Sequence, residues 1–556
     1  MSPCPSQRST TNTHRLAMAI PLLHPEYDIV TRSSFDSQDT FNLDEADFVS
    51  QTSRAKFFYQ GQSLLTRLIS NSFVGYHRIT SPTRYPRTRR HRCYHRAIAR
   101  RACFFLYAGL AFLVAFIGLT FLFWPSYTSL PPHYRSLRQA VLQSNSPGRG
   151  NPRNEKIFIA AILYDPGGAL AAGPWGTAVR DLIHLLGEEN VFLSIYENDS
   201  GGEGQRALQV LNERLVCNKS IVYEEHFNLT RIPRVTLPDG SQRTRRISYL
   251  AEIRNRVLEP LEEPFQPRYD KLLYLNDVMF DPIDALQLLF STNVDQEGIA
   301  QYRAACAVDF INAFKFYDSF ATRDLHGYGI GLPFFPWFSS TGSGQSRRDV
   351  LEERDAVRVR SCWGGMVAFD AKFFQDSGLP LRMTHRENRF IPALDLPLTN
   401  NDPRGPVRFR AEEEMFWEAS ECCLIHADIQ DEPTSMDDIT DVGIYLNPFV
   451  RVAYDSTTLS WLWTTRRFER LYAVAHDLVT RIAGLPFESP RRVHIAGDEV
   501  VENVWVPDAM SSSGGTFQML KRTASKGGFC GNRGLQVMIE ERQAGQDGWE
   551  PIPPPK

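Results

Sequence analysis

An α/β fold, with a mostly parallel sheet covered by helices and one membrane-spanning helix ahead of it, is what this sequence predicts, on three observations. From Asn154 onward, apolar runs of strand length alternate with segments of helical period. Ala102 to Trp124 carries no charge and would extend about 35 Å as a helix, enough to span a bilayer. Acids stand directly after several of the strand runs, where open α/β sheets bind their ligands.

The chain has 556 residues, more than one ordinary domain, and 42% hydrophobic with 22% charged residues is a globular composition. The net charge of -3 conceals an asymmetry, because residues 51–101 hold 11 Arg, Lys56 and no acid. That block runs directly into the apolar segment, so a juxtamembrane role accounts for it and no nucleic-acid partner is predicted. Eight Arg lie between Arg84 and Arg101, against Arg135, Arg138 and Arg149 on the other flank. The positive-inside rule then puts the N-terminus in the cytosol and everything after Trp124 in the lumen. Residues 1–101 read as a largely disordered tail with a possible amphipathic stretch at Phe57 to Val74, 102–124 as the span, and 125–153, rich in Pro and Gly, as a stem. Sequons at Asn198, Asn218 and Asn228, and six of the nine Cys, fall on the expected lumenal side, where disulfides persist.

In the lumenal part, Ile157 to Tyr164 reads as a strand, Trp175 to Leu186 as a helix, Val191 to Tyr196 as a strand and Glu203 to Cys217 as a helix. A strand at Ser220 to Tyr223 and a helix from Ile247 to Glu259, stopped by Pro260, follow. Next come the strand Lys271 to Leu275, a helix near Pro282 to Phe290 and a strand near Ile299 to Ala307. The aromatic and Gly-rich loop Phe310 to Gly344 is long enough to call for a functional reading. Strands are expected again at Cys362 to Phe369 and Cys422 to Ile425.

The stretch YDKLLYLNDVMFD, Tyr269 to Asp281, puts Asn276 and Asp277 at the carboxyl end of an apolar strand. Asp165, Glu197 and Asp309 take corresponding positions after other strands; each alone suits a turn, but four on one rim suit a hard cation such as Mn²⁺ or Mg²⁺. Arg254 lies on the apolar stripe of its helix, four residues from Leu250 and from Leu258, so it needs a buried anion. A structural carboxylate and a ligand phosphate both qualify. Asn255 beside it is a candidate for a sugar or base, and His426, ending the last apolar run, for a metal. No Walker loop, GxGxxG or HExxH occurs.

The blocks IFIAAILYDP, VFLSIYENDSGGEG, ISYLAEIRNRVLEPL, YDKLLYLNDVMF, RAACAVDF, FYDSFATRDLHG, SCWGGMVAFDA and SECCLIHADI follow one another in an order that resembles the fungal capsule-associated α-1,3-mannosyltransferases, glycosyltransferase family 69. The resemblance covers about residues 155–470 and implies a GT-A-type (Rossmann-like) domain, here 154–472, with 473–556 as an unexplained C-terminal extension. It further implies a GDP-mannose donor, a mannose-containing glycan acceptor, Mn²⁺ (or Mg²⁺), retention of configuration, and a single-pass type II protein of the Golgi (or ER) membrane. Asn276-Asp277 falls where the family's DxD motif stands, with Asn in place of the first acid, and Arg254-Asn255 matches its Arg-Asn helix. The implied roles are metal ligation by Asp277 with His426, donor binding by Glu197, Arg254, Asn255, Asn276, Trp363, Gly364 and Gly365, and action at the reacting carbon by Asp309 and Glu421. A departure at Glu197-Asn198-Asp199, where Glu-Ser-Gly is expected, creates a sequon that is expected to stay unglycosylated. The alternative is a catalytically silent lumenal scaffold of the same fold, which Asn276 favours.

Overall fold

The computed structural model describes residues 89–263, 267–375, 405–433, 435–436, 438–508, 514–540 and 548–555. The expected tail up to residue 88, including Phe57 to Val74, lies outside the described residues. Helix α1 (Arg89–Phe123) contains the apolar run. Its part Arg100–Phe123 reaches a mean hydropathy of 2.4 and is exposed except at its end, where Thr120 is buried and Arg467 lies over Phe121; it is the one helix among the described residues long and apolar enough to cross a membrane.

The stretch expected as a stem is packed onto the domain instead of leading away from it. Pro131 and Pro132 start helix α2 (Pro132–Gln143), with Pro132 in the first turn, where its missing N–H costs nothing. Tyr127 and Tyr134 are buried. The Tyr127 hydroxyl donates to the Val350 carbonyl (3.0 Å), and Tyr134 receives the Asn447 amide on its hydroxyl (2.6 Å) and the Gln287 amide on its carbonyl (3.0 Å).

The domain proper then alternates. In order come β1 (Ile157–Leu163), α3 (Pro174–Leu186), β2 (Val191–Asn198), α4 (Gly201–Arg214), β3 (Asn218–Glu224), the hairpin β4 (Arg234–Thr236) and β5 (Gln242–Thr244), and α5 (Arg246–Arg256). Next are β6 (Lys271–Leu275), α6 (Pro282–Ser291), β7 (Ala304–Phe310), β8 (Arg323–Asp324), α7 (Gln345–Leu351), β9 (Val357–Ser361) and β10 (Met366–Asp370). The chain ends through β11 (Trp417–Ala419), α8 (Glu421–Ile429), β12 (Ile444–Ala453), α9 (Ser456–Thr465), α10 (Arg470–Ile482), the hairpin β13 (Glu499–Pro507) and β14 (Gly515–Thr523), and the short β15 (Gly531–Arg533), β16 (Gln536–Met538) and β17 (Trp549–Pro551).

Nine strands form one sheet in the order β3-β2-β1-β6-β10-β7-β12-β9-β8. β1 pairs in parallel with β2 on one side and with β6 on the other, so the strand order reverses there. β10 is antiparallel to both its neighbours, β6 and β7. The sheet has an apolar core on each face, which is why its strands read as continuous apolar runs: Ile157, Ile159 and Ala161 pack with α3 and α6, and Phe158, Ala160 and Ile162 with α5. In register, Leu163 stands opposite Glu197 and Ala161 opposite Leu275, which sets Glu197, Asn276 and Asp277 on one rim at the reversal.

Two expected strands differ. Cys422 to Ile425 is part of helix α8; four apolar residues do not distinguish strand from helix, and Ser420-Glu421 is a helix start. The run from Cys362 is broken by Gly364 and Gly365, both left-handed (φ 62° and 67°), so β10 begins only at Met366. The expected boundary at residue 472 falls inside α10, and residues beyond it are tied into the domain. Cys423 is disulfide-bonded to Cys530, β11 pairs with β15, and the Arg323 guanidinium donates to the carbonyls of Phe529 (3.1 Å) and Cys530 (3.0 Å). Cys306–Cys362 is the second disulfide; Cys217 and Cys422 are buried and outside both disulfides.

Asn198 is buried, with its amide donating to the Tyr249 hydroxyl (3.0 Å), whereas Asn218 and Asn228 are exposed. With the domain in the lumen, Asn218→Gln and Asn228→Gln should each remove one endoglycosidase-sensitive increment from the expressed protein, and Asn198→Gln none. A wild-type chain carrying no such increment would speak for the opposite topology.

Candidate active site

Two adjoining recesses of about 390 Å³ each open at the rim where the strand order reverses, with Leu250 and Asn276 as their shared wall. The first is lined by the end of β1, by Asn198, by Tyr249 and Ile253 of α5, and by Asp277. The second is lined by Arg254, Trp363 and Glu421 together with Tyr317, Asp318 and Tyr454.

Arg254 is fully buried between them. Its Nε donates to Glu421 Oε1 at 2.9 Å, and its guanidinium stacks over Trp363 at 4.4 Å from the ring centroid. Of the two partners expected for this arginine, the structure holds the carboxylate. Glu421 is the first residue of α8, where the helix end favours an anion. Asn276 is fixed at every backbone and side-chain oxygen. Its Oδ1 accepts from Trp363 Nε1 (3.3 Å) and, at longer range, Arg254 Nη1 (3.5 Å), and its carbonyl accepts from Trp175 Nε1 (3.1 Å). Its N–H donates to the Gly365 carbonyl (2.9 Å). Asp277, one residue on, is half-buried and lines the first recess.

Glu197 is fully buried and no well-aligned hydrogen bond reaches either carboxylate oxygen. Burial pushes its pKa up to about 7; the nearby Ser200 hydroxyl pulls it back in part, and the Asp165 carboxylate raises it. Ser200 Oγ itself accepts from the Asp165 backbone N–H (2.8 Å), so its alignment is set by that bond. Asp165 is a turn residue: one carboxylate oxygen accepts from the N–H groups of Leu170 and Ala171, each at 2.9 Å.

Four expected site residues have other work. Both ends of the Asn255 amide are bonded to the Phe409 backbone at 2.9 Å, so it straps that segment to α5 and lines neither recess. His426 is buried beside the Cys306–Cys362 disulfide, 3.8 Å from Cys306 Sγ, with Nδ1 donating to the Cys422 carbonyl (2.7 Å). Burial lowers its pKa to about 4. It packs on Phe369, which pairs with Leu272, five residues before Asp277 and so about 16 Å along the strand. His426 therefore does not join Asp277 in one metal site. Cys306, Cys362 and His426 lie close enough to share an ion, but the two sulfurs are bonded to each other. Gly364 and Gly365 face protein rather than cleft, since a Cβ would lie 1.9 Å from the Ala307 carbonyl oxygen or 2.6 Å from Val278 Cγ1. Trp363 does reach the second recess.

Asp309, expected near the reacting carbon, is fully buried at the end of β7. It accepts from the Asp318 N–H (3.1 Å) and the Tyr454 hydroxyl (3.1 Å), and its carbonyl accepts from the Tyr317 N–H (3.1 Å). The three residues it holds are the ones that line the recess. Asp318 is thus an acid of the cleft that the strand-end pattern missed. The available signal was its setting in FYDSF, an acid between aromatics in the long loop.

No curated protein matches the chain. The mannosyltransferase PcManGT from Pyrobaculum calidifontis, solved in complex with GDP-Man and Mn²⁺, is similar at 10% identity over 65% of this chain and 73% of that one. Its TM-score of 0.28 is too low to carry a structural argument. Residues 156–428 match the family model described as cryptococcal mannosyltransferase 1, and through this domain the chain belongs to the capsule-associated mannosyltransferase family.

Proposed function

We propose that the chain is a metal-dependent, retaining α-1,3-mannosyltransferase of GT-A type that moves mannose from GDP-mannose to a mannose-containing glycan acceptor. In this reading it is a single-pass type II protein with its catalytic domain in the Golgi or ER lumen. The observation that carries the proposal is Asp277 at the carboxyl end of β6, lining one recess that shares Leu250 and Asn276 with the recess of Arg254, Glu421 and Asp318. The half-Rossmann order β3-β2-β1-β6 supports the GT-A reading.

Asp277 offers one carboxylate without thiolate or imidazole beside it in the recess, a half-site that suits Mn²⁺ or Mg²⁺ completed by diphosphate oxygens and water. Asp277 would hold such a cation, which would supply Lewis-acid stabilisation of the leaving diphosphate. The chain's own contribution is orientation. Asn198 lines the recess that would take the nucleoside, and Glu197, buried behind the rim against Gly204 of α4, supports that edge without lining it. Arg254 holds Glu421 and Trp363 against the donor sugar. Asp318, held by Asp309 and by the Ala321 N–H (3.1 Å), is the carboxylate nearest the acceptor side, and takes the role first expected of Asp309. It serves either as nucleophile or as the group that orients the acceptor hydroxyl for attack on the leaving-group face. The silent-scaffold reading draws on Asn276, whose Oδ1 is occupied by Trp363 and Arg254.

Full-length protein given GDP-mannose, MnCl₂ and a mannoside acceptor should release GDP, and Asp277→Ala should lower that rate at least about 100-fold while leaving the melting temperature unchanged. Equal traces from the two proteins would favour the scaffold. Asp318→Asn should lower kcat with little change in KM for the donor, whereas Asp309→Asn should also lower the melting temperature, because that carboxylate is buried and bonded. For Glu197 the raised pKa means the folded chain keeps a proton that the unfolded chain releases. Its contribution to stability is complete below about pH 4.5 and declines as pH rises to about 7. Glu197→Gln should therefore gain on the order of 2 kcal/mol relative to wild type between pH 4.5 and pH 8 in thermal melts without ligand. A constant difference across that range would show that Glu197 is ionised throughout.

A further inference from the structure

Helix α10 is amphipathic the wrong way round for a soluble domain. Its inward face carries His476 and Thr480, both buried. That polar face is used by the long loop: His476 Nε2 donates to the Leu332 carbonyl (3.1 Å), His476 Nδ1 accepts from Arg347 (3.1 Å), and the Leu332 N–H donates to Thr480 Oγ1 (3.4 Å). Its outward face carries Val474, Leu478 and Ile482, spaced by four and 78%, 64% and 62% exposed. Helix α9, just before it, exposes Trp461 (54%) and Trp463 (58%). Exposed apolar side chains gathered on two successive helices mark a contact with something apolar.

The end of α1 identifies what that is. The Arg467 guanidinium lies over the Phe121 ring of α1 (5.4 Å) and over Trp463 (4.3 Å), and Arg470 lies over Trp124 (5.9 Å). The Ser126 N–H donates to the Arg466 carbonyl at 2.8 Å. The anchor therefore leaves the domain at the apolar patch, and with α1 in a bilayer the patch lies at the level of the headgroups. Its composition suits that depth. Tryptophans concentrate at the membrane interface, arginines there meet lipid phosphates, and an amphipathic helix lies in the plane with its apolar stripe at the acyl boundary.

We propose that α9 and α10 form a second, in-plane membrane contact, with Trp461, Trp463, Val474, Leu478 and Ile482 inserted into the leaflet through which α1 emerges. The inference rests on α1 spanning a bilayer and is independent of the reaction assigned above. It also reaches the cleft. Phe314 of the long loop packs against Phe468 (6.3 Å) and edge-on to Tyr472 (6.4 Å), and Phe334 edge-on to Tyr472 (6.4 Å), beside the patch. Four residues after Phe314 the same loop presents Asp318 to the second recess, so the bilayer and the acceptor wall share one loop.

The test uses the full chain, one copy per lipid nanodisc, with lipids brominated just below the headgroup, and reads quenching of tryptophan fluorescence. Of the nine tryptophans, Trp124, Trp461 and Trp463 are the ones at the proposed interface, so the quenched signal should fall to about one third in Trp461→Phe/Trp463→Phe. Leu478→Glu/Ile482→Glu should also lower quenching, with the melting temperature in detergent unchanged because both side chains are exposed. Equal quenching in wild type and the Trp pair variant overturns the proposal. So does quenching absent from single-copy discs together with Leu478→Cys cross-links between chains in vesicles, which would assign the face to a second copy.

Discussion

The buried pair Arg254–Glu421 is the interaction on which the cleft depends. It joins α5 to α8, and through Trp363 and Asn276 it reaches the turn before β10 and the end of β6. Four segments distant in sequence meet at one guanidinium. Both charges are removed from water, and removing one partner of such a pair costs about 3–5 kcal/mol because the other is left buried and unpaired. A guanidinium is suited to this place, since it bonds in its plane to the carboxylate while its faces stack on aromatic rings, here Trp363, Tyr274 and Phe409. A lysine would keep the charge and lose that geometry.

The same pair gives a physical reason for Asn276. The site around it already holds one positive and one negative side chain in balance, and Asn276 adds an acceptor without adding charge. A carboxylate there would compete with Glu421 for Arg254 and leave a net negative charge in a buried place, where charge is costly. The neutral residue therefore belongs to the frame of the cleft, and Asp277 is the charged residue that lines the first recess. On this view the substitution within the expected acidic motif does not by itself mark a silent site.

Much of the frame was legible in the sequence because it is written in burial. Strands such as Ile157–Leu163 and Lys271–Leu275 are covered on both faces and so appear as unbroken apolar runs between helical segments. Arg254 was legible for the complementary reason, as a charge on an apolar stripe. What escaped is whatever depends on distant partners. The Pro-rich stretch after α1 reads as a linker until Tyr127 and Tyr134 find their pockets. Cys422 to Ile425 is ambiguous until Ser420 and Glu421 start a helix. Asp318 lines the recess and Asp309 lies behind it, because the strand-end position is buried and the loop acid it supports is not. His426 and Asn255 stand beside the right motifs in sequence and spend their polar atoms on backbone carbonyls and a strap.

The two faces of the long loop connect these observations. On one side its Tyr317 and Asp318 complete the cleft, held from below by Asp309. On the other its Leu332, Phe314 and Phe334 rest on α10, whose polar side they consume. A helix that spends its polar face on a loop has only its apolar face left to turn outward, and in water that arrangement would be unfavourable by roughly 25 cal/mol for each Å² of apolar surface left exposed. The proposed contact with a bilayer would remove that penalty. On the proposed contact the apolar spacing of Val474, Leu478 and Ile482 follows from where α1 leaves the domain, and the loop that lines the second recess would be braced against the bilayer.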